Sequence, residues 1–121
     1  MKQKKEISHL VAEKVLGWDK QTLPNFEGSP YTADYWVNAL GEIERPVNFF
    51  SPSSNLEDAW RVVERLGYVH KQLEWDAKNK QWCFIIGNGL GERWSAFHKQ
   101  ASLAICLSAL KTVNVHVEEV E

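Results

Sequence analysis

Apolar residues recur at helical spacing in three stretches of this chain and alternate in several others. Ile7, Leu10, Val11 and Val15 predict a short amphipathic helix over Ile7–Leu16, with Lys5, Glu6, Glu13 and Lys14 as its polar side. Gly17 suits the left-handed position that ends a helix, and Trp18 is placed to pack back on the last turn. A second stripe runs through Leu56, Ala59, Trp60, Val63 and Leu66. Ser54 and Glu57 before it have the spacing of a capping box, in which each side chain satisfies a free N–H of the first turn. Glu57 and Arg61 form a favourable four-residue ion pair, worth about 0.3–0.5 kcal/mol, and Gly67 stops the helix. The third stretch, about Gln100 to Thr112, places Ala104, Ile105 and Ser108 on one side and Leu103, Leu107 and Leu110 on another. It carries no charge between Lys99 and Lys111. A helix apolar nearly all round is buried by its own domain or by a partner subunit.

Between the second and third helices the period changes to two. Tyr68–Trp75, Gln81–Ile86 and Glu92–Phe97 read as strands, joined by the polar turn 76–80 and the loop Gly87–Gly91. In the middle strand Trp82, Phe84 and Ile86 face one way, Cys83 and Ile85 the other. A strand apolar on both faces is central and covered on both sides. The predicted class is therefore α+β: a layered α-β-α sandwich with a central antiparallel sheet and helices on both faces. Residues 1–121 read as one domain with a core unit over 51–112. The arm 19–50 is irregular, punctuated by Pro24, Gly28, Pro30, Gly41 and Pro46. Within it Tyr35–Val37 and Val47–Phe50 are strand-like and predict a small ribbon turning near Gly41–Glu42, pinned to the body by Phe49 and Phe50. Residues 113–121, with Val115, Val117 and Val120 alternating, read as an edge strand, a strand donated to another subunit, or an acidic tail. No internal repeat is apparent.

Composition narrows the function classes. A chain of 121 residues, 44% hydrophobic, can bury a core without disulfides or metal. The formal net charge is −2, and the main positive cluster is Lys2, Lys4 and Lys5. Without a basic stripe to neutralise phosphates, duplex nucleic acid is excluded as a partner. Cys83 and Cys106 sit among apolar neighbours, as free thiols in a reducing compartment do. No run is long and apolar enough to span a membrane and no leader is visible, so a membrane partner is excluded and a cytoplasmic location is expected.

Catalytic chemistry finds little to rest on. A glycine loop cradles phosphate when a helix follows it, whereas the element after Gly87–Gly91 is a strand, which makes the loop a hairpin connection. His9, His70, His98 and His116 are scattered without metal-ligand spacing, although His70 and Glu74 share one strand face. No nucleophile elbow, zinc pattern or paired-acid motif is present, so no catalytic residue, metal or cofactor is expected. What remains is aromatic surface with arginine. Tyr31, Tyr35, Trp36, Arg93 and Trp94 are the candidate ligand-binding residues, suited to stacking on a base or on a partner's side chains. The competing account of the same residues is core packing or an oligomer interface.

The order and spacing of several segments resemble a known family. They are Val11-Ala12-Glu13-Lys14-Val15-Leu16-Gly17-Trp18, Tyr35-Trp36 with Gly41-Glu42, Phe50-Ser51-Pro52-Ser53, Ala59-Trp60-Arg61-Val62-Val63-Glu64, and Ala104-Ile105-Cys106-Leu107-Ser108-Ala109-Leu110. From about Leu10 to Lys111 the chain is similar to the phage ABA sandwich domain, found in small phage and prophage proteins. The resemblance implies an α-β-α layered fold and no catalytic residues; Gln21–Thr32 and the valine-rich tail lie outside it. The expectation is a non-catalytic binding protein in the host cytoplasm, homo-oligomeric through its uncharged last helix. The alternatives are a sponge for a host nucleotide signal and a protein inhibitor of a host enzyme.

Overall fold

The computed structural model describes residues 3–117. Helix α1 (Lys4–Leu10) continues without a break into a π-helical turn (Val11–Val15). Strands β1 (Asp19–Pro24), β2 (Thr32–Val37) and β3 (Ile43–Pro46) follow as an antiparallel meander. A 3-10 turn (Val47–Phe49) leads to α2 (Leu56–Leu66). A second meander, β4 (His70–Asp76), β5 (Gln81–Gly87) and β6 (Arg93–His98), precedes α3 (Ala101–Lys111). Two antiparallel sheets and three helices make the α+β class that the pattern predicts. The strands divide into two separate sheets of three, and the region read as an irregular arm supplies one of them.

The two sheets share a plan that the sequence conceals. Asn38-Ala39-Leu40-Gly41-Glu42 joins β2 to β3, and Asn88-Gly89-Leu90-Gly91-Glu92, fifty positions later, joins β5 to β6. In each turn the asparagine Oδ1 accepts from the backbone N–H of the leucine and of the glutamate. Its Nδ2 donates to the glutamate Oε1. The flanking pairs, Val37 with Ile43 and Gly87 with Arg93, stand in the same relation. The helix ends repeat as well: Leu16-Gly17-Trp18 corresponds to Leu66-Gly67-Tyr68, with glycine φ of 71° and 69°. Only glycine takes that left-handed conformation without a steric penalty. Upstream, Val11-Ala12-Glu13-Lys14-Val15-Leu16 has one residue more than Val62-Val63-Glu64-Arg65-Leu66. The wide π turn, closed by Leu16 N–H donating to the Val11 carbonyl at 3.1 Å, takes up that extra residue. The chain is thus two helix-plus-meander halves followed by α3.

Helix α3 lies at the centre. Eight of its eleven residues are buried, and it packs on β5, β6, α2 and the π turn. Phe84 and Ile86 of β5 meet it from the sheet and are fully buried. Ser108, the polar group in the middle of α3, donates its hydroxyl to the Phe84 carbonyl at 2.7 Å and so fixes helix to sheet. The apolar surface of this helix is consumed within its own chain, so it is not the free face from which self-association was expected.

The structure departs from the sequence reading at several further points. The N-cap of α2 is Asn55, whose Oδ1 accepts from the Asp58 N–H at 3.0 Å, one position after the expected Ser54. Ser54 and Glu57 form no box. Glu57 instead pairs with Arg61 at 2.6 Å on the exposed side, as the spacing predicts. Val47–Phe49 is a 3-10 turn and not a strand, since Pro46 ends the ladder. Phe50 is 5% exposed and packs on Trp18, whereas Phe49 is 72% exposed, so one of the pair pins the arm. After α3 the chain turns at Asn114, and Val115 N–H closes on the Leu110 carbonyl at 3.0 Å. Residues 114–117 form no strand, and Val115 and Val117 lean on the core. Val120 lies outside the described residues.

Candidate functional site

The candidate site is the second apolar face of β5. Strand pairing puts Glu74, Cys83 and Phe97 in one row across the sheet, Gln72, Ile85 and Ser95 in the next, and His70, Gly87 and Arg93 in the third. Because side chains alternate along each strand, these rows point away from Phe84, Ile86 and α3. From these rows Glu74, Cys83, Phe97, Ile85, Ser95 and Arg93 border a cavity of about 590 Å³, which the end of β4 and the turn after it complete, with no helix residue in its wall. Its floor is Cys83 and Ile85, and Phe97, 53% exposed, stands at one side. Glu74 and Asp76 give it an acidic end, and Arg93 a basic one.

Hydrogen bonds and burial set the charge states in this cavity. Asp76 accepts from the Asn79 side chain at 2.8 Å and from its backbone N–H at 3.3 Å. Those bonds hold its carboxyl below the usual carboxylate range, so the acidic end stays charged. Glu74 accepts from the Gln72 amide on the same strand. The Cys83 thiol is pushed up, first by burial and then by the charges of Glu74 and Asp76. At neutral pH it is a thiol and a poor nucleophile.

The five residues named from sequence do not come together. Tyr31 is exposed in the loop between β1 and β2. Tyr35 is half-buried on β2, and Trp36 beside it is fully buried, edge-on to His9 at 5.4 Å. The Trp36 indole N–H has no partner. Trp94 packs against Tyr68 at 5.3 Å, on the helix side of the second sheet. Arg93, its neighbour in sequence, points to the opposite face and alone of the five joins the cavity. Strand alternation separates Arg93 from Trp94, and the division into two sheets separates both from the tyrosines. The alternation in β5 did carry the signal for the site, but it reads equally well as a face awaiting cover. The glycine loop is a hairpin connection, as the following strand predicts. Its Leu90 and the matching Leu40 are 88% and 85% exposed at the two turn tips.

His9, under Trp36, is held below the ordinary histidine range by burial and by Lys20 and Lys5, with Glu13 opposing. The unfolded chain therefore binds the His9 proton more readily than the folded one. This contribution to stability is complete above the unfolded pKa of about 6.5 and is lost as pH falls through the lower folded value. Tm should drop between pH 7 and pH 5, and His9→Gln should flatten that slope in a calorimetric pH series.

A model of the phage ABA sandwich domain matches residues 9–110, from inside α1 to the last turn of α3. The chain belongs to the phage ABA sandwich domain family. Both sheets and the cavity face fall within the matched span of this ABA sandwich domain. A crystal structure of a phage protein from Bacillus cereus ATCC 14579 superposes with a TM-score of 0.66 over 98% of this chain and 93% of that one. The sequences are 24% identical, so the likeness is one of fold. No match is found among curated proteins. No described helix of this family member is long and apolar enough to cross a membrane.

Proposed function

We propose that this phage protein acts by reversible, non-covalent binding, without catalysis, and that the open face of β4–β5–β6 is its binding surface. The observation that carries this reading is the cavity of about 590 Å³, with an apolar floor at Cys83 and Ile85 and opposite charges at its two ends. Its size lies within the roughly 300–1,000 Å³ of ligand sites, and a few polar groups around an apolar floor are what orient a ligand in such sites. The one thiol in the wall is kept protonated, which favours holding over reacting.

The test is the melting temperature of the full chain, read against a panel of nucleotides and amino acids and against its own concentration. A partner that binds only the native state at a hundred times its Kd stabilises it by about 2.7 kcal/mol. Tm is expected to rise along one of these axes in the wild type and to stay flat in Ile85→Arg. A flat wild-type response on both, or a rise that Ile85→Arg retains, would overturn the reading. Recovery of a chemically altered ligand would overturn its non-catalytic part.

A further inference from the structure

We infer that the open face of β4–β5–β6 is closed by a second copy of this chain, through a two-fold interface centred on Ile85. This rests on the binding-surface reading above and names the occupant. The register supplies the geometry. The row of Glu74 lies two residues along β5 to one side of Ile85, and the row of Arg93 lies two residues to the other. Glu74 is on β4 and Arg93 on β6, so Ile85 sits midway on the line between them. With strands about 4.8 Å apart and about 3.4 Å per residue, the two backbone positions are roughly 17 Å apart.

A face with an acid at one end, a base at the other and an aliphatic residue between is its own complement. Take a two-fold axis at Ile85, lying between two facing sheets and perpendicular to the Glu74–Arg93 line. That operation sets Arg93 of each copy over Glu74 of the other and Ile85 over its own counterpart. Phe97, one row away on β6, falls along the same axis and meets itself. The strands of the two sheets then cross at about 70°, near the orthogonal class of sheet packing.

The charges favour this occupant over a small molecule. Arg93 has no ion-pair partner among the described residues. A single ligand satisfying both ends would need opposite charges spread over most of that distance, whereas a second copy carries them at the required spacing. The face is modest: three strands of about seven residues offer roughly 14 by 24 Å, below the roughly 800 Å² per partner of a standard interface. A weak association, in the micromolar range, is expected.

Sedimentation equilibrium of the full chain from about 5 to about 500 µM brackets that affinity. The wild type should pass from monomer to dimer, and Ile85→Arg, Arg93→Glu and Glu74→Arg should each remain monomeric with an unchanged circular dichroism spectrum. An equal mixture of Arg93→Glu and Glu74→Arg should regain the dimer, because each carries the charges the other lacks. Residues 74 and 93 are exposed, so neither exchange disturbs the core. A wild type monomeric throughout, a dimer indifferent to these variants, or a mixture that stays monomeric would overturn the inference. If the chain is monomeric while a small molecule still raises Tm through Ile85, the binding surface stands and only its occupant is wrong.

Discussion

Phe84→Ala is expected to lower the unfolding free energy by about 3–5 kcal/mol. Phe84 is the fully buried centre of β5, edge-on to Trp60 of α2 at 5.7 Å and facing α3. Removing the ring leaves a void between three elements, none free to collapse alone: α3 is held to β5 by the Ser108 hydroxyl, and α2 is packed against α3. A chain of this length has about 6–18 kcal/mol of stability in total, so one ring accounts for a large share. Urea unfolding should show a lower midpoint with an unchanged slope. Phe84→Leu, which keeps most of the volume, should recover more than half of the loss. A cost below about 1 kcal/mol would mean that the helix layer does not rest on this residue.

Asp58→Ala should cost about 2–3 kcal/mol, through polar contacts and not volume. Its carboxylate accepts from Arg45 of β3 at 2.8 Å and from the Ser51 N–H at 3.1 Å, while its own N–H is taken by the Asn55 cap. One side chain therefore ties the first sheet, the approach to α2 and the first turn of that helix. Alanine strands the Ser51 N–H and leaves Arg45 without its anion. Arg45 keeps some access to water, which limits the loss. Asp58→Asn retains an acceptor and should cost about half as much. The discriminating measurement is a double-mutant cycle with Arg45→Met: a coupling near zero would show that the helix start matters and the link to the first sheet does not.

The Asp58 expectation concerns how the two halves are joined, and there the sequence was least informative. The repeated plan has few identities to announce it. Val15 puts the first helix one residue out of phase with the second, and the β1–β2 connection (25–31) is longer than its β4–β5 equivalent (77–80). Strand β1, Asp-Lys-Gln-Thr-Leu-Pro, is almost wholly exposed and shows no alternation; only its ladder with β2 makes it a strand. The residues around the start of α2 also answer to distant partners. The Ser53 hydroxyl bonds to Ser8 and donates to the Lys4 carbonyl, and its own carbonyl accepts from Ser102 of α3. No local rule contains those contacts.

The three helices, the second meander, the glycine stops after Leu16 and Leu66, and the two apolar faces of β5 are all legible in the amino-acid order. These follow from periodicity and from backbone conformations open mainly to glycine, which are local properties of a chain. Tertiary packing set what each apolar surface meets. Burial depends on which elements share a layer: α3, apolar all round, is spent inside the domain, whereas Cys83, Ile85 and Phe97 line a cavity that no helix walls. It also decided which charges share that face, since Glu74 and Arg93 lie nineteen positions apart in sequence and two strands apart in the sheet. Pairing register placed them symmetrically about Ile85, and register is fixed only when the strands meet.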